Sequence, residues 1–217
     1  TSQFEPPEVL GEIYRVSPIG AEVPDDPRGL RIDWGAADPN RLAGLLDDDR
    51  PFVRERAIAT LASRGESSVE ILRQVVGGSM STRARIAAVW SLARIDGAAA
   101  DAAIRTALDA SEPSILQAAC HAIALRRDPS AVELLVARFG DWPPAVRRAA
   151  AEALGRIGGA AVIERLAEQV ARLEPFASGD EGAGGRMLEH SLIFAMFEIA
   201  TRSTEVESAT ARLMSLL

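Results

Sequence analysis

Lysine is missing altogether: all 24 basic residues of the 217-residue chain are arginine, against 31 Asp and Glu, for a net charge of −7. A GC-rich coding bias accounts for the missing lysine. The acidic balance makes the chain a poor candidate for binding a phosphate backbone, which needs clustered positive charge. The single cysteine, Cys120, excludes an internal disulfide and any cysteine-based metal cluster. No stretch reaches the 18 or so uninterrupted apolar residues of a transmembrane helix. Aromatics are few, 5% of a chain that is 47% hydrophobic, so alanine, leucine, valine and isoleucine must do most of the packing. There is no phosphate loop, no nucleotide fingerprint and no Ser/His/Asp arrangement. Position 1 is Thr1 and not an initiator methionine, and we read the chain as a piece of something longer.

What the chain has in quantity is repetition, clearest from Asp141 to Gly159, DWPPAVRRAAAEALGRIGG. Val146, Ala150, Leu154 and Ile157 fall on one stripe of an α-helix. Pro143 and Pro144 suit a helix start with Asp141 as a cap, and Gly158 and Gly159 suit a left-handed helix end. Leu61, Leu92, Ile123 and Leu154 are each 31 residues apart, as are Val53, Ala84, Ile115 and Val146, and Ala57, Ala88, Ala119 and Ala150. Three lanes keeping one period across four units mark a repeat array. A fifth unit follows after 42 residues, with Leu188, Leu192 and Met196 in the equivalent places. The 11 extra residues fit the Gly-rich stretch Pro175 to Gly185. A preceding helix keeps the same period through Ile104, Leu135 and Leu166, and through Leu108, Phe139 and Val170. Each repeat is therefore a helical hairpin, and stacked hairpins make an all-α solenoid of about five units.

Residues 1–38 differ. They hold five of the 12 prolines, lack helical periodicity, and include a candidate short strand at Gly11 to Val16. We read them as an extended arm, and 39–217 as the solenoid. The pattern predicts helices near 39–47 and 51–63, 67–76 and 82–95, 98–109 and 113–126, 130–138 and 144–157, 160–173 and 185–200, with a last one from Glu205. The apolar end Leu213 to Leu217 lacks the polar cap a terminal repeat needs, so we expect it to continue or to meet another surface.

Asp48…Val53-Arg54 and Asp141…Val146-Arg147 resemble the HEAT repeat, and Leu-Gly-Arg-Ile-Gly-Gly at 154–159 resembles the short HEAT-like repeats named after phycobilisome lyases. More narrowly, Gly11-Glu-Ile-Tyr-Arg-Val16, Asp26-Pro-Arg-Gly-Leu30 with Trp34, Arg50-Pro-Phe-Val-Arg54 and Leu188-Glu-His-Ser-Leu192 look like large bacterial proteins that join a sugar-dehydrogenase-like β-propeller, a HEAT-like segment and a cytochrome c domain. The resemblance implies a right-handed (armadillo-like) α-solenoid. The multidomain form implies a periplasmic or exported location, with redox chemistry in the other domains. The haem motif Cys-x-x-Cys-His is absent, so no cofactor is expected on this chain. In HEAT repeats the Asp and Arg bond across neighbouring repeats as a ladder. That would explain Arg54, Arg85 and Arg147 in first helical turns, where the dipole disfavours a cation, with Asp48 and Asp141 as partners. Leu116 and Glu189 interrupt the pattern, and solvated arginines are the alternative.

Of the single residues, Cys120 shares a lane with Ile58, Val89, Ala151 and Ile193 and reads as an inert buried thiol. His121 and His190 invite a catalytic or metal role, but neither has a histidine or carboxylate one turn away, and Glu152, one repeat on from His121, is the sole candidate partner. Asp180 and Glu181 read as a solvated turn. The lane Ala59, Trp90, His121, Glu152, Phe194 points away from the apolar lanes at 100° per residue, and the resemblance places second helices on a concave face. Trp90, His121, Arg148, Glu152, His190, Phe194 and Phe197 are thus the expected binding surface, with Trp90 and Phe194 as anchors, unless the arm or the 175–185 loop covers them. The expected function is a non-catalytic scaffold binding a protein or peptide, including other domains of the same parent, with no nucleic acid and no membrane insertion. The alternatives are an accessory subunit such as a chromophore lyase, or a HEAT-like DNA glycosylase, which the acidic charge disfavours.

Overall fold

The computed structural model describes residue 20 and residues 24–173 and 180–202, with backbone only for 180–184. The strand expected at 11–16 and the helix expected from Glu205 lie outside the described residues. Ten α-helices and no strand occur among the described residues. They are α1 Pro39–Gly44, α2 Pro51–Ser63, α3 Val69–Gly77, α4 Thr82–Leu92, α5 Ala98–Thr106, α6 Pro113–Arg126, α7 Val132–Arg138, α8 Pro144–Ile157, α9 Ala160–Ala171 and α10 Asp180–Arg202. Consecutive helices pair as hairpins. The even-numbered helices stack in chain order into one layer, α2 on α4, α4 on α6, α6 on α8 and α8 on α10. The result is an all-α solenoid whose core runs continuously between the two layers.

Local chemistry explains the boundaries. Proline opens α1, α2, α6 and α8, where its fixed φ suits the helix and its missing N–H removes no intrahelical bond. The Asp38 carboxylate accepts from the Arg41 amide, and the Ser81 hydroxyl accepts from the Ala84 amide. The periodic lanes are the core: Val53, Ala84, Ile115 and Val146, Ala57, Ala88, Ala119 and Ala150, and Leu61, Leu92, Ile123, Leu154 and Met196 are all fully or almost fully buried. So are Ile104, Leu135, Leu166, Leu188 and Leu192. Cys120 lies among them, and burial pushes its thiol up to about 12.

Three expectations need correction. Asp141 does not cap α8; it ends a 3-10 turn, Phe139–Asp141, and Pro143 is the cap residue. Gly158 and Gly159 are not left-handed. Gly158 has φ −72° and ψ 156°, and it is needed for space: a Cβ there would lie 2.6 Å from the Leu154 carbonyl oxygen. The orphan carbonyls at this helix end are satisfied from the next repeat, where Arg202 donates to Arg156 O at 2.8 Å and Gly158 O at 2.7 Å. Finally, α10 begins at Asp180, so the second half of the Gly-rich stretch is helical. Asp180 and Glu181 therefore fall in its first turn and not in the loop turn expected for them.

The described part of the arm has a definite role. Residues 24–38 fold as consecutive turns against the first hairpin. Gly29, Trp34 and Ala37 are buried, and Trp34 Nε1 donates to Gly29 O at 2.9 Å. Arg56 of α2 stacks 4.8 Å from the Trp34 ring. Gly29 has φ +64°, and a Cβ on it would meet Val53 Cγ2 at 2.9 Å. The segment therefore covers the open end of the core at α2 and lies away from Trp90.

A candidate binding groove across three helices

The exposed side of the even-helix layer carries a groove of about 770 Å³, lined only from α6, α8 and α10. Its position follows from the repeat. Each of these helices turns its apolar lanes toward the core, so the opposite lane faces out, and three outward lanes in register make one trough. Of the seven residues expected on this surface, His121, Arg148, Glu152, His190 and Phe194 line it. Phe197 is exposed on α10 but not part of the lining. Trp90 is not part of it either. It is half-buried and packs back onto the core cluster. Phe194, the other expected anchor, is 64% exposed.

The polar groups in the groove divide into paired and unpaired. His121 Nδ1 lies 3.5 Å from Glu152 Oε2, the carboxylate one repeat on. The other oxygen of Glu152 accepts from Arg156 at 2.8 Å. Arg148 has no carboxylate within bonding distance among the described residues. Its only hydrogen-bond partner there is the Met187 sulfur, 3.9 Å from Nη1, a weak acceptor. Its Nε is buried and unsatisfied. Arg156, Ser191 and Glu198 also line the groove and were missed on the sequence. Arg156 and Glu198 stand one turn beyond Glu152 and Phe194, so extending the outward lane by i+4 finds both.

The expected ladder is built differently. Arg54 Nη1 donates to the carbonyls of Asp48 at 2.7 Å and Asp49 at 3.0 Å. The Asp48 carboxylate is taken instead by Arg50, two residues away, in a two-bond pair at 2.8 Å. That bond holds Asp48 below the usual carboxylate range. Arg85 does reach a carboxylate, Glu112 of the next repeat at 3.0 Å, and also donates to Val76 O. Arg147 donates to Gln169 and stacks 5.2 Å from the Phe139 ring, and burial lowers its pKa. Asp141 is exposed and takes no part. Ties between repeats come from Arg83 with Asp47 and Asp49, Arg105 with Asp128, and Arg138 with Asp109. Short loops put these carboxylates nearer than the one expected from the pattern.

The HEAT-repeat pattern matches residues 39–115 and again 100–174. The chain belongs to the HEAT-repeat family. No curated protein matches it. In this HEAT array the matched span runs from α1 through α9, and α10, which supplies one wall of the groove, follows as a further helix stacked on α8. No helix among the described residues is long and apolar enough to cross a membrane. Nor do three or more His, Cys, Asp or Glu among them group as a metal site requires.

Proposed function

We propose that this HEAT-repeat chain is a non-catalytic interaction scaffold that holds a protein segment in the groove across α6, α8 and α10. HEAT repeats serve generally as protein-interaction scaffolds, and the observation that carries the reading here is Phe194. A phenylalanine 64% exposed in a groove of about 770 Å³ adds nothing to hairpin packing, whereas large aromatics on a surface commonly contact a partner. The groups around it support binding more than chemistry: the one His–carboxylate contact among the described residues, His121 with Glu152, is shared with Arg156, and the Ser191 hydroxyl that also lines the groove donates to Met187 O. We also propose that the repeats are of the phycobilisome-lyase type and that the scaffold is one segment of a larger bacterial protein of the propeller/HEAT/cytochrome c kind. The partner is then another domain of the parent or a separate protein, and any redox activity belongs to the parent's other domains.

A photo-crosslinking residue at position 194, with position 134 on α7 as the control, tests this in the cells that make the protein. Leu134 is also exposed, but on an odd-numbered helix. Discrete crosslinked species from position 194 and none from 134 are expected. Equal crosslinking at both, or turnover of a substrate by the purified chain, counts against a scaffold that uses this groove.

A further inference from the structure

The charges along the groove are ordered, and the order specifies a ligand. At one end Arg148 of α8 and His190 of α10 share a second, open depression of about 500 Å³ with Arg186 and Met187, and no carboxylate among the described residues lines it. Arg148 is a guanidinium with a thioether as its only hydrogen-bond acceptor among the described residues and a buried, unsatisfied Nε. A charged group so placed costs free energy until an anion reaches it. One turn further along α10 comes the exposed ring of Phe194. At the far end Glu152 is already held by Arg156 and His121, while Glu198 lies against Gly155 with no cation paired to it among the described residues. Among the described residues, the groove thus runs from an unmatched cation, past an aromatic face, to an unmatched anion.

We propose that the groove binds an extended acidic peptide, in which a side-chain carboxylate meets Arg148 and His190 and a large apolar side chain two residues away packs on Phe194. The spacing follows from geometry. His190 and Phe194 are four residues apart on a helix, a rise of about 6 Å. Alternate residues of an extended chain, which face the same way, are separated by about 6.5 Å. Glu198 repels a carboxylate at the opposite end, so only one direction of charge along the groove is favoured. The net charge of −7 disfavours an acidic partner elsewhere on the surface and so concentrates its recognition on this cation.

The inference rests on the scaffold reading, and the experiment separates the two. A display library of random decapeptides is selected on the full chain at low salt, and the enriched sequences are resynthesised. Enrichment of Asp or Glu two positions from Phe, Leu, Met or Trp is expected. Arg148→Glu should weaken such a peptide tenfold or more, Arg148→Gln by less, and Phe194→Ala by a comparable factor, with thermal melts confirming that each variant is folded. Peptides enriched without an acidic residue, or indifferent to Arg148→Glu yet sensitive to Phe194→Ala, overturn the acidic ligand and leave the scaffold standing. Peptides indifferent to both substitutions, or no enrichment at all, overturn the groove as the binding face and the inference with it.

Discussion

Leu154 shows how little latitude a single position has in this chain. It sits in the lane of Leu61, Leu92, Ile123 and Met196, is fully buried, and belongs to α8, which packs against both α6 and α10. Leu154→Asp puts a carboxylate into the apolar core, a burial costing several kcal/mol, whereas Leu154→Ala should cost about 2–5 kcal/mol through lost contacts and a cavity. Thermal melts should order the three proteins wild type, Ala, Asp, and an aspartate variant with the wild-type melting temperature would place the core elsewhere. The residue scale is also where lane counting shows its limit. Trp90 and Phe194 occupy the same lane and were read as equivalent anchors, yet one packs back on the core and the other stands in the groove. A lane specifies direction from the helix axis, while the fate of a long side chain depends on what surrounds it.

Among the elements, the turn segment 24–38 carries the most distinct chemistry. Asp26 accepts from the amides of Arg31 and Leu30, and Arg50 joins the Asp48 carboxylate to the Asp26 carbonyl. Backbone hydrogen bonds hold Asp26 below its ordinary 3.8, and the Arg50 side chain holds Asp48 below it. A carboxylate depressed in the folded state contributes stability that is fully present above its unfolded pKa. Both contributions are therefore lost as pH falls below about 3.8 through the lower folded-state values. In a variant carrying Trp90→Phe and Trp142→Phe, Trp34 emission should report the loosening of the segment in that window. Arg50→Gln removes the bond that lowers Asp48 and should move the transition to higher pH. A transition that stays put in Arg50→Gln means that Asp48 does not hold the segment.

Across the whole molecule, each hairpin buries its faces only against its neighbours, so the ends need covers. At the α1–α2 end the cover is the arm: Trp34 is 8% exposed, and Gly29 and Ala37 are buried with it. Deleting residues 1–37, which keeps Asp38 as the cap of α1, should lower stability by about 3 kcal/mol or more, the scale of losing one buried tryptophan. The deletion should leave the solvent exposure of Trp90 unchanged, because the described part of the arm does not reach it. An unchanged melting temperature, or a newly exposed Trp90 in quenching experiments, would give the arm a different role.

The architecture was legible in the sequence because a repeat multiplies a weak signal. Val146, Ala150 and Leu154 alone make one amphipathic stripe; the same stripe at fixed spacing in four helices, and once more in a fifth, requires stacking, since no single hairpin can bury it. The start of α8 was legible in Pro143 and Pro144, since proline acts on its immediate neighbours, but the cap expected at Asp141 was not formed, and α10 starts earlier than its periodicity suggested. The other features were decided by tertiary structure, because they depend on pairs far apart in the chain. Arg202 caps α8 across 44 residues to Gly158, Arg85 finds Glu112, and Arg50 captures the carboxylate that the repeat pattern assigned to Arg54. The groove lies between these two cases. Its direction follows from the apolar lanes, so five of its residues could be named in advance. Its polarity, with Arg148 left unmatched among the described residues while Glu152 is bound by Arg156 and His121, arises only when three helices bring their outward lanes together, since an ion pair is set by distance in space and not by period in sequence.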